Sequence, residues 1–221
     1  MKAKKSDILI LLVNLASFVG LALLLPRLPE TIPIHWNFKS QADNWGPRWM
    51  VLLVGALPLG IFLMMKILPL IDPRKESYRI HAKAYSVMTI AVSLVFIPIA
   101  WVVALAGLQV QLDVGIITRL FIGLLFIILG NYMGKLRPNF FVGIRTPWTL
   151  SNAEVWQKTH RRGAWIFVLL GLIFWASLIQ PHNPFLAGLA IGAVILGTLY
   201  IILYSYILFY KLDKGGRSGY H

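Results

Sequence analysis

The chain has 221 residues, 58% of them hydrophobic and only 13% charged, with a mean hydropathy of +0.73 and a net charge of +13. Soluble domains carry about a quarter charged residues, so this composition excludes an ordinary water-soluble fold and points to the bilayer. The absence of cysteine excludes disulfides, thiolate metal sites and cysteine nucleophiles.

Six apolar stretches are long enough to cross a hydrocarbon core of ~30 Å, which takes about 20 helical residues. They fall at 7–25, 49–71, 84–107, 114–134, 163–180 and 185–210. The apolar part of the first is too long for a signal peptide, and no small-x-small cleavage site precedes Pro26, so it reads as a retained anchor. The fifth is the shortest and begins at Gly163, beside Arg161 and Arg162. Gly130–Gly134 and Gly188–Gly192 have the GxxxG spacing and read as packing contacts.

The connecting segments decide the orientation. Alternate segments, tails included, hold 16 Lys and Arg on one side and 3 on the other. The third and fifth loops hold none. Six crossings with both tails on the positive side satisfy the positive-inside rule, which also explains the basic charge without nucleic acid. Lys66 and Arg119 lie inside spans but near their ends, where a long side chain snorkels to the headgroups. For Arg119 the alternative is an interior pair with Asp113 or an outer-loop carboxylate. No span has a central Asp or Glu, which weighs against an ion-coupled transporter.

The outer loop, Pro26 to Arg48, is too rich in Pro and Trp to be disordered. Ile32, Ile34, Trp36 and Phe38 alternate with Pro33, His35 and Asn37, the period of a short strand with one buried face. Residues 42–47, Ala-Asp-Asn-Trp-Gly-Pro, supply turn chemistry. The distinctive residues of this loop are Pro33, His35, Trp36, Asn37, Asp43 and Trp45. His35 with Asp43 is too small a set for a metal, which needs three or four ligands, so His35 reads as structural.

The inner loop, Gly134 to Arg162, has two turn-forming segments, Arg137-Pro138-Asn139 and Arg145-Thr146-Pro147, with Gly143 placed for a left-handed turn. Ser151 and Glu154 have capping-box spacing, so a helix is expected from about Asn152, carrying Val155, Trp156 and Thr159 on one side and lying in the inner interface. Glu154 and His160 are six apart, about 240° around a helix, and do not face each other. No nucleophile–base pair, HExxH or phosphate loop occurs in the chain, so no catalytic residue, metal or cofactor is assigned.

The segment Gly130 to Gly163, GNYMGKLRPNFFVGIRTPWTLSNAEVWQKTHRRG, resembles the signature of the SdpI family of bacterial membrane proteins, and Leu28 to Pro47 resembles the uncharacterised domain that often precedes it. The resemblance implies a multi-pass protein of the bacterial cell membrane that gives immunity to a secreted peptide toxin. It further implies signalling through a small DNA-binding repressor held at the membrane. The outer loop is then where a peptide is sensed. The inner loop is the docking surface, through Arg137, Pro138, Asn139, Gly143, Arg145, Thr146, Pro147, Trp148, Ser151, Glu154, Trp156 and His160. A small transporter or channel, and a lipid-acting enzyme, are the competing readings. The expected architecture is all-α, with six transmembrane helices, N-in and C-in, an ordered outer loop and an interfacial inner helix. Its parts are an N-terminal membrane domain (1–110, outer loop 26–48), a C-terminal one (111–212, inner loop 134–162) and a flexible tail (213–221).

Overall fold

The computed structural model describes residues 5–217, with side chains to Asp213; the N-terminal Lys2 and Lys4 and the end of the expected tail lie outside the described residues. Among the described residues, six helices are long and apolar enough to cross a membrane. They are α1 (Lys5–Leu24), α2 (Met50–Ile71), α4 (Ala82–Gly107), α5 (Val114–Met133), α7 (Ala153–Ala176) and α8 (Pro184–Arg217). Two short helices, α3 (Lys75–Ile80) and α6 (Pro147–Ser151), lie between spans. The segments joining α2 to α4 and α5 to α7 meet at one end of the bundle, the basic face. The opposite end carries an antiparallel hairpin, β1 (Thr31–Trp36) and β2 (Ala42–Pro47).

Two sets of helices pack closely within the bundle. In the first, α1, α2 and α4 enclose Leu21, Val51, Ala100, Val103 and Ala104. Prolines shape its polar contacts. Pro69 has no N–H to give to Met65 four residues back, and Tyr85 of α4 donates its hydroxyl to that freed carbonyl at 2.5 Å. In the second set α5 and α7 pack backbone to backbone. A Cβ at Gly171 would sit 2.6 Å from the Gly123 carbonyl, and one at Gly130 would sit 2.7 Å from that of Ala164. Of the two GxxxG pairs, Gly130 is thus a contact, whereas a Cβ added at Gly188 or Gly192 would meet nothing from another element within 4 Å.

Three expectations need correction. Residues 42–47 are a strand and not a turn: Trp45 pairs with Pro33 and Gly46 with Ile32, and the chain reverses over Asn37–Gln41 instead. Phe38 accordingly leaves the strand and is exposed. The helix after the inner loop does not lie in the interface; α7 runs unbroken from Ala153 into the fifth span. With the short turn that follows it is 27 residues, about 40 Å at 1.5 Å per residue, so its first turns rise out of a ~30 Å core. Its basic start therefore costs the helix nothing.

Candidate functional site

The hairpin is keyed into the set of α1, α2 and α4 by Ile32, fully buried, and Leu28, with Trp36 packed alongside. Burying an isoleucine contributes about 1.5–3 kcal/mol. The Asn37 side-chain oxygen accepts from Lys39 N (2.9 Å) and Gln41 N (3.1 Å), which closes the reversal. The other face of the hairpin is presented to the surroundings. His35 Nδ1 and Asp43 Oδ1 are 2.5 Å apart, both side chains are well exposed, and Trp45 is 56% exposed. Among the described residues no three His, Asp or Glu converge as a metal would require.

Beneath the reversal, Trp36, Asn37, Phe38 and Ser40 roof a cavity of about 200 Å³ whose wall includes Arg119. Arg119 is buried and does not snorkel; its Nη1 donates to the Ser177 carbonyl at 3.4 Å. Nor does it pair with Asp113, which caps α5 by accepting from Ile116 N (3.0 Å) and faces His182 (3.4 Å). Lys66 is also not a lone anchor, because it meets Asp7 of α1 at 2.5 Å.

On the basic face the two halves of the chain are tied through Asp72, a residue the sequence reading passed over. Its buried carboxylate accepts from Arg74 N (2.7 Å), the Tyr78 hydroxyl (2.8 Å) and Phe140 N (2.9 Å), the last from the inner loop. Burial and the hydrogen bond to Asp72 push the Tyr78 phenol far up, so it stays a donor. Asn139, also buried, organises the turn: its oxygen accepts from Phe141 N and Val142 N, and its amide donates to the Arg137 and Val142 carbonyls. His81, just before α4, accepts from Arg137 N through Nδ1 at 3.1 Å.

Gly143 adopts a φ of +111°, and a Cβ there would collide with His160 Nε2. That nitrogen accepts from Ile144 N (3.0 Å) while Nδ1 donates to the Trp156 carbonyl (2.8 Å). Both ring nitrogens are therefore occupied, which leaves neither lone pair nor proton for acid–base work. The His160 ring stacks on Trp156 at 4.0 Å, and Trp156 Nε1 donates to the Leu136 carbonyl at 2.9 Å. Helix α6 is capped reciprocally by Thr146 and Thr149, and the Trp148 indole donates to Ser205 of α8. The capping box expected of Ser151 and Glu154 does not form: Asn152 caps α7 through Glu154 N and Val155 N, Ser151 donates to the Trp148 carbonyl, and Glu154 pairs with Lys158 at 2.6 Å.

Of the inner-loop candidates, Asn139, Trp156 and His160 are buried, and Pro138, Thr146 and Trp148 are half-buried. Arg137, Gly143, Arg145, Pro147, Ser151 and Glu154 are exposed. Four polar residues of the spans are paired within the bundle: Asn14 with Ser93, Ser93 with the Pro58 carbonyl, Ser17 with Trp101, and Thr89 with the Tyr85 carbonyl.

Residues 135–206 match the model of the SdpI/YfhL protein family, and residues 12–59 match that of a domain of unknown function, DUF1648. The chain is 25% identical over 209 residues to the "Immunity protein SdpI" of Bacillus subtilis (strain 168), covering 95% of this chain and 98% of that protein. No solved structure matches.

Proposed function

We propose that this chain, which belongs to the SdpI/YfhL family of multi-pass bacterial membrane proteins, is a non-enzymatic immunity protein that protects its cell from a secreted, membrane-active peptide. The observation that carries the reading is similarity to an immunity protein along nearly the whole of both chains. The geometry supports a division of labour between the two ends. The hairpin, firmly keyed at Ile32, holds Trp45 and the His35–Asp43 pair out to a ligand on the outer side. On the basic face, taken as cytoplasmic by the positive-inside rule, Arg137 and Arg145 stand exposed on a rigid loop and suit an acidic patch of a small repressor.

The test is a killing assay. Deleting the gene is expected to sensitise the host to a peptide secreted by itself or its neighbours, and re-expression to restore survival. Unchanged sensitivity to every secreted peptide of the host overturns the immunity reading. Repressor docking is tested separately by membrane co-localisation of a tagged regulator; it is lost if the proposal holds when Arg137 and Arg145 become Ala.

A further inference from the structure

On the basic face, the ends of α4, α5 and α7 enclose a cavity of about 640 Å³, within the range that holds a small ligand. Its polar lining comes from His81, Lys83, Lys135, Arg137, Glu154 and Gln157.

His81 defines the chemistry the cavity asks for. Because a backbone N–H, that of Arg137, donates to Nδ1, the lone pair lies on that nitrogen. Burial and the nearby Arg137 charge hold the ring pKa down to about 4, so at neutral pH its single proton sits on Nε2. That N–H meets no acceptor among the described residues, and the side chain is only 4% exposed. A buried donor left without a partner is costly, and water does not reach this one. His81 lines the cavity, and its Nε2–H is open to a ligand oxygen once the side chains that cover it shift.

Charge gives the second half of the argument. Lys83, Lys135 and Arg137 are exposed at the rim, and none of them makes an ion pair with a carboxylate among the described residues. Lys135 lies over the Tyr132 ring at 4.7 Å, and Glu154 is committed to Lys158. Three uncompensated cations around an unanswered N–H specify an anion with several oxygens.

Position names its source. The cavity is also lined by Ala84 and Gly134, residues at the ends of α4 and α5. Those ends mark where the helices leave the hydrocarbon, which is the level of lipid phosphates. We propose that this cavity binds the headgroup phosphate of an anionic phospholipid, with His81 Nε2–H donating to a phosphate oxygen and Lys83, Lys135 and Arg137 supplying the charge. The site stands whether or not the protein confers immunity.

The experiment uses the full chain in neutral detergent, titrated with short-chain phosphatidylglycerol, short-chain phosphatidylcholine or inorganic phosphate, and read by native mass spectrometry and thermal shift. Phosphatidylglycerol is expected to bind at least tenfold more tightly than phosphatidylcholine. Reversing the exposed rim, Lys83→Glu with Lys135→Glu, removes that preference without touching the folded core. His81→Gln retains binding, because its amide can accept from Arg137 N and donate to phosphate, whereas His81→Phe loses it. Equal binding of the two lipids, or an undiminished preference in the rim variant, overturns the proposal. Inorganic phosphate that binds as tightly as phosphatidylglycerol overturns the lipid assignment in favour of a soluble anion.

Discussion

The hairpin is held to the bundle by apolar side chains, with Ile32 and Leu28 set among Leu21, Val51 and Ala104, whereas the loop on the basic face is held by hydrogen bonds to Asp72, Asn139 and His160. The consequence is a difference in what each motif shows to the outside. The hairpin buries a few residues and displays the rest of its distinctive set: His35, Asp43 and Trp45 are exposed. The basic loop conceals Asn139, Trp156 and His160 and displays mainly arginines and turn residues. A distinctive residue in the first region is a candidate contact; in the second it is as often a strut. The largest effects of substitution should therefore come from polar groups on the basic face.

Asp72→Ala is expected to be the most damaging single change. It strips the acceptor from Phe140 N and leaves the Tyr78 hydroxyl only the longer bond to Asn139 Oδ1 (3.2 Å), at about 1–3 kcal/mol for each buried donor weakened or unpaired, so about 2–6 kcal/mol in all. Thermal unfolding in detergent measures it against Ile32→Val at the hairpin, for which about 0.5–1.5 kcal/mol is expected. If the hairpin variant proves the worse of the two, the contrast between the regions breaks.

The sequence disclosed the spans because 20 apolar residues in a row have one physical solution, and the charge tally followed from the same rule. It misread β2 because Asp43-Asn44-Trp45-Gly46-Pro47 has turn chemistry, and only pairing with β1 makes it a strand. The inner helix reads as interfacial because it carries Val155, Trp156 and Thr159 on one side with Lys158, Arg161 and Arg162 elsewhere; a span whose first turns rise out of the hydrocarbon core has the same composition. Asp72 left no local signal beyond standing at the end of a span, since its partners lie up to 68 residues away. Arg119 was misplaced for a like reason: its surroundings come from the distant Asn37–Ser40 reversal and from Ser177, 58 residues away. The candidate loops were thus legible as regions, while the division of their residues into struts and contacts needed the fold.

Acid tests the basic face through His81. His81 has a folded pKa of about 4 against 6.5 for the free side chain, so the unfolded chain takes up a proton first as pH falls. Its contribution is present in full above about pH 6.5 and is lost progressively toward pH 4, a change of roughly 3 kcal/mol at most. Melting midpoints taken from pH 7.5 to 4.5 in neutral detergent should fall more steeply for the wild-type chain than for His81→Gln. Parallel curves would mean that the ring is not held neutral by its surroundings.

The smallest effects on stability should accompany the largest effects on function. Trp45 and Arg145 are both exposed, and the Arg145 guanidinium returns only one bond to its own loop, to the Phe140 carbonyl at 2.7 Å. Replacing either with Ala is expected to shift stability by about 1 kcal/mol or less, as surface changes away from buried networks do. If the hairpin is the sensing surface, Trp45→Ala removes protection in the killing assay while leaving membrane accumulation at the wild-type level. Arg145→Ala should leave protection intact and weaken any regulator held at the basic face. Separating the two phenotypes this way distinguishes the two ends of one bundle by task. A Trp45→Ala variant that still protects would show that the exposed hairpin face is not where the peptide is met, and would direct attention to the Arg119 cavity beneath it.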